Sequence, residues 1–235
     1  MPIIYLSPST QENNFYVSGG SEEYWMNRLA DAMVPYLNAS GIQYVRNTPE
    51  MTAASSILAS NSGNFDLHLA LHSNGAPEGQ YGQIRGVLVF YYPGSAEGRR
   101  AAEIVAENLK KIYPLPSKVR TEPTTTIGEV RKVRAPSVFL ELGYHDNPDD
   151  AAWVQNNLDA IARNLVESLC QYFGIPFLEP RPARQAVVDV EWGALNIRSR
   201  PDRSAPIVAR AYDGARLTVL NQWQGWYLGR FDGVV

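Results

Sequence analysis

Three short stretches of the 235-residue chain set acid, base or metal-binding residue types against apolar runs: "SPSTQENN" (residues 7–14), "LHSN" (71–74) and "LELGYHDN" (140–147). His72 ends the run "FDLHLALHSNG" and is followed by the small or polar Ser73, Asn74 and Gly75. A histidine so placed at a strand's end suits a metal ligand or a general base, or else a hydrogen-bonded surface residue. His68 shares its face but lies ~13 Å deeper at ~3.3 Å per strand residue, and reads as a buried, satisfied histidine. Glu141 stands among Phe139, Leu140 and Leu142, where burial raises a carboxyl toward the range useful for a general base. Glu22 and Glu23 head a helical stretch; acids there complement the helix dipole, or one of them holds a metal over the sheet.

Elements that place these residues follow from periodicity. Extended apolar runs at residues 3–6, 43–46, 66–71, 86–92 and 137–142 alternate with helical segments at 22–38, 51–60, 96–112 and 151–173. The alternation predicts an α/β fold with a mostly parallel or mixed sheet flanked by helices. In the first helix Met26, Leu29, Met33 and Leu37 form one stripe, Gly41 closes it and Pro35 is a candidate kink. In such sheets reactive groups gather where strands give way to loops, which is where all three stretches lie.

Residues 1–174 form the first predicted domain. The segment "GIPFLEPRPARQ" (174–185), with three prolines and no period, reads as a stiff linker over 175–185. Residues 186–235 change to short alternating strands between Asp-Gly and Pro-Asp turns, the pattern of a small all-β barrel. With 21 Lys and Arg against 24 Asp and Glu, the chain carries a net charge of −3 and no basic stripe, which argues against nucleic acid as a partner. The start "MPIIYL" lacks the basic and long apolar segments of a signal peptide, and no run approaches the ~20 apolar residues of a membrane span. The expectation is synthesis in the cytoplasm without a leader. Cys170, the sole cysteine, sits in a helical apolar pattern and is expected to fill the core.

Residues 3–173 resemble the zinc-dependent N-acetylmuramoyl-L-alanine amidases that cleave peptidoglycan. "IGEVRKVRAPSVFLELGYHDNPDD" (127–150) is similar to that family's Leu-x-x-Leu-Arg-x-x-x-x-Pro-x-x-Leu-x-Glu-x-Gly-Phe-x-Ser-Asn segment, "LHSN" to its histidine motif, and "SEEYWMN" to its glutamate at the first helix. The resemblance implies one zinc ion, with His72 and Glu23 as ligands, Glu22 as the alternative carboxylate, and Glu141 as the general base toward a zinc-bound water. It also implies substrate contacts from Thr10, Gln11, Asn74 and Arg131. The family's first strand ends in Asp-Pro-Gly-His, whose histidine is a zinc ligand, whereas this chain has Ser7-Pro8-Ser9-Thr10. Three explanations stand: His145 supplies the missing ligand; Gln11, Glu12 or Glu22 completes a weaker site; or zinc is not retained and the domain only binds peptidoglycan.

The tail, with "LNIRSRPD" (195–202) and "GWYLGRFDG" (225–233), resembles a bacterial Src-homology-3-like cell-wall domain, ending short of the usual final strand. Trp192, Trp223 and Tyr227 are its candidate wall-binding aromatics; Trp226 reads as core. These resemblances imply a peptidoglycan hydrolase of endolysin or autolysin type, reaching the wall after cell lysis or by non-classical export.

Overall fold

The computed structural model describes residues 1–231. Its centre is a six-stranded sheet in the order β2-β1-β3-β6-β4-β5. The strands are β1 Ile3–Pro8, β2 Gln43–Arg46, β3 Leu67–Asn74, β4 Val87–Tyr91, β5 Val119–Pro123 and β6 Ser137–Tyr144. Neighbouring strands pair in parallel except β4 against β6, so the mixed sheet expected from sequence is what forms. Strand β5 extends the sheet beyond β4.

Period-two alternation gives the sheet two unlike faces. On one, Ile4, Leu6, Leu67, Leu69, Leu71, Val138, Leu140 and Leu142 join the main core beneath α1 Glu22–Ser40, α3 Ala96–Leu109 and α6 Leu158–Phe173. Cys170 is buried there too, as expected. On the other face lie Ser7, His68, His72, Phe139 and Glu141, with Glu129 from the short α4 Gly128–Arg131 and Ser60 from α2 Ala53–Ser62 among their partners. The predicted last helix is two: α5 Pro148–Asn156 starts on its Asn147 cap, and Asn157 separates it from α6. No helix among the described residues is long and apolar enough to cross a membrane.

Beyond α6, Ile175 and Phe177 pack on the main core and Leu178 N–H donates to Ser40, so the first half of the proline-rich segment is fastened down. The tail holds β7 Arg184–Val187, β8 Leu195–Arg198, β9 Ile207–Ala211, β10 Arg216–Trp223 and β11 Trp226–Arg230 in two small antiparallel sheets. The last residues of "GWYLGRFDG" lie outside the described residues. Asn221, at a bulge in β10, donates to the carbonyls of Ala39 and Glu179 and so ties the tail to the end of α1.

Candidate active site

The carboxyl ends of β1, β3 and β6 meet at one sheet edge, and the register sets His72 directly beside Glu141. Gly143 turns the chain just beyond Glu141 with φ +79°, and a Cβ at that position would come within 3.0 Å of Asp150. Any larger residue there would strain the backbone and push on a buried anchor. Asp150 accepts from the Gly86 and Tyr144 N–H groups, from Arg85 and from the Tyr113 hydroxyl, which fixes the end of β6 against α5.

Of the two acids heading α1, it is Glu22 that reaches His72. Residue 22 lies one turn before Met26 on the same inward stripe, whereas Glu23 is rotated outward onto the side of Asn27. Glu22 Oε1 lies 2.8 Å from His72 Nδ1, and its other oxygen accepts from Asn14 at 2.8 Å. Glu23 contacts Ser21 and Asn27 and does not touch His72. The loop after β1 folds back over the helix start, where Asn14 O accepts from Glu22 N–H and Gln11 O from Glu23 N–H. That fold brings the Gln11 amide to 3.2 Å from His72 Nδ1.

The second ring nitrogen of His72 faces a residue that periodicity did not reveal. Glu129 Oε2 is 3.3 Å from His72 Nε2, while Glu129 Oε1 is 3.2 Å from His68 Nε2 and accepts from Ser7. His68 Nδ1 completes the row at 2.9 Å from the Ser60 hydroxyl. Phe139 stacks on the His72 ring with centroids 4.2 Å apart. The clue available in sequence was His68 itself: a buried imidazole needs partners, and Glu129 lies in the same segment of the chain as Glu141.

Charge in this cluster is strongly organised. Burial disfavours the His72 cation, but hydrogen bonds and attraction from Glu129 and Glu22 win and hold its pKa near 10. Burial likewise opposes the Glu129 carboxylate, yet bonds from His68 and His72 bring it down to about 2. Glu22, against the same opposing burial, is lowered chiefly by His72 and then by Asn14 and Ser9. Glu141 goes the other way. Burial outweighs the attraction of His72 and raises it to about 8, and its Oε2 has no hydrogen-bond partner among the described residues.

The remaining candidates are scattered. His145 turns toward Ser73, with Nδ1 3.3 Å from the Ser73 carbonyl and the ring 6.0 Å from Tyr16. Asn74 binds its neighbour Gly75 N–H, Thr10 is half-buried, and Arg131 and Glu12 are exposed. Trp223 and Tyr227, with Trp226, Arg198 and Tyr172, line a groove of about 1350 Å³ at the opposite sheet edge, where Pro2, Asp66 and Pro136 precede their strands. Trp192 stands apart from that groove and is 88% exposed.

A zinc site of the kind the resemblance implies needs three protein donors. Glu22 and His72 are adjacent, but among the described residues no third His, Cys, Asp or Glu joins them in a metal-binding group. The end of β1 offers Ser9, Thr10 and Gln11 instead. Ligand atoms around a zinc at ~2.0–2.1 Å stand roughly 3.3 Å apart, whereas His72 and Glu22 meet at 2.8 Å, a direct hydrogen bond. The residues present do not fit the three-ligand site.

The family model for N-acetylmuramoyl-L-alanine amidase matches residues 9–171. The chain belongs to this amidase family. A bacterial SH3 domain model matches residues 193–233. The fold is that of the amidase AmiC2 of Nostoc punctiforme (16% identity, 74% of this chain and 97% of that one, TM-score 0.63). It is equally that of the catalytic domain of CwlV, an amidase from Bacillus (Paenibacillus) polymyxa var. colistinus (13% identity, 75% and 100%, TM-score 0.65). The catalytic domain of the CD27L endolysin, described as targeting Clostridia difficile, is similar at 19% identity over 73% and 97% of the two chains, with a TM-score of 0.60. No curated protein matches in sequence. This is a peptidoglycan amidase with a bacterial SH3 domain, and its substrate is the bond between N-acetylmuramic acid and L-alanine.

Proposed function

We propose that Glu141 is the group that moves the proton in this amidase reaction. It takes a proton from the attacking water and returns it to the L-alanine amine as the C–N bond breaks, so the carboxylate is regenerated. The supporting observation is its position: a largely buried carboxyl at a strand end, beside the doubly bonded His72, with one oxygen unpartnered among the described residues. In this reading residues 1–174 are the catalytic module and 175–185 a connector. Residues 186–235 hold the wall, with Trp223 and Tyr227 in the groove and Trp192 on the open surface as the aromatic contacts.

Incubating the protein with bacterial peptidoglycan and counting newly exposed L-alanine amino groups tests the assignment. Glu141→Gln keeps the shape and is expected to lower the rate about 10²–10⁴-fold; a variant as fast as wild type removes Glu141 from the chemistry. The incomplete zinc ligand set favours a second reading, an amidase scaffold that binds peptidoglycan without cutting it. Retention of the wild-type protein on the wall with no amine released would select that reading.

A further inference from the structure

We infer that this amidase keeps no resident zinc at the family position, and that a buried row of Glu22, His72, Glu129 and His68 occupies its place. The argument is geometric. Carboxylates only accept hydrogen bonds, and both ring nitrogens of His72 face them, Nδ1 toward Glu22 at 2.8 Å and Nε2 toward Glu129 at 3.3 Å. Each ring nitrogen is thus already within hydrogen-bond reach of a carboxylate. The loop after β1 borders the same spot, with Gln11 at 3.2 Å from Nδ1 and Asn14 holding both Gln11 and Glu22. Gln11 therefore stands at His72 where a third ligand would be needed, and an amide is a poor zinc donor beside an imidazole or thiolate.

Both charge and satisfaction favour this arrangement over an empty metal socket. A zinc site stripped of its ion would leave buried acids facing one another, whereas here Glu22, Glu129, Ser7 and Ser60 all have partners in the row.

Metal content and melting temperature of the intact protein test this without substrate, so the result is separate from the amine-release assay. Wild type dialysed against excess zinc and then against buffer is expected to hold no stoichiometric zinc by elemental and native mass spectrometry. Its melting temperature is expected to stay put with zinc or chelator. Gln11→His places an imidazole beside His72 and Glu22 and is expected to tighten zinc binding by at least about 100-fold, since even partners outside the ligand shell carry 10–100-fold. A wild type that retains one zinc per chain, or a Gln11→His chain that binds zinc no better than wild type, would overturn the inference.

Discussion

The two faces of the central sheet come from the same strands and do different work. One face is a continuous sheet of Ile, Leu and Val under three long helices, where each side chain gains by leaving water. The other carries Ser7, His68, His72 and Glu141 under short α2 and α4, where groups that prefer water are held out of it by one another. Adjacent residues on β6 belong to opposite worlds: Leu140 is fully buried in the core, and Glu141 lies beside His72. Alternation along a strand lets one element supply stability and chemistry at once, so the two can be damaged separately.

The largest expected effect exploits that adjacency. Glu141→Gln is expected to remove nearly all amine release, by about 10²–10⁴-fold, while leaving the melting temperature level or raised, because a group that resists ionisation in the fold becomes neutral at every pH. Leu140→Ala is expected to do the reverse: about 2–5 kcal/mol less stability from lost burial and cavity, with the rate per folded molecule intact. Denaturant melts and amine-release rates on both variants check the pair; a Leu140→Ala enzyme that folds normally but loses its rate would mean the faces are not independent. A smaller loss, about 1.5–3 kcal/mol, is expected for Glu129→Gln, which weakens charged hydrogen bonds to both His68 and His72.

The apolar face was the more legible of the two. Its strands and the stripe on α1 follow from periodicity, and the placement of His72 and Glu141 at strand ends follows from the same pattern plus the habit of open sheets. The polar face was readable only where a motif marked it. Glu22 was in fact signalled, because it continues the stripe of Met26, Leu29 and Met33 one turn earlier, but a stripe of apolar residues does not advertise an acid. Glu129 left no such trace: α4 has four residues, too few for a period, and its partners His68 and His72 lie about 60 positions away. The fastening of residues 175–178 was likewise hidden, since proline content reports stiffness and says nothing of what the segment rests on.

The polar face should also impose a pH profile that the apolar face lacks. Glu129, lowered from 4.5 to about 2, contributes stability above about pH 4.5 that disappears as the pH falls toward 2. His72, raised from 6.5 to about 10, contributes stability present below about pH 6.5 and lost as the pH rises through 10. Glu141, raised to about 8, adds to the alkaline loss between 4.5 and 8. The melting temperature is therefore expected to peak near pH 4.5 and fall on both sides. Leu140→Ala should lower the whole curve without reshaping it, and Glu129→Gln should flatten its acid limb. An acid limb unchanged in Glu129→Gln would detach that residue from the charge balance. The rate, in contrast, is expected to climb toward pH 8 as Glu141 loses its proton and becomes able to accept one.

Phe139 gives the smallest and most discriminating effect, because it is an apolar residue on the polar face. It stacks on His72 at 4.2 Å and 19°, meets Phe90 edge-on at 6.4 Å, and packs with Ala70 and Val130. Under a cationic imidazole an aromatic face adds attraction as well as packing, together worth about 1 kcal/mol over an aliphatic residue of similar bulk. Phe139→Leu is expected to cost about that much stability, and to lower kcat severalfold with KM unchanged, since the ring that keeps His72 flat against the sheet is gone while the substrate cleft is untouched. If stability falls but kcat and KM both hold, Phe139 is a small piece of the apolar face's strategy transplanted to the other side, and the orientation of His72 rests on Glu22 and Glu129 alone.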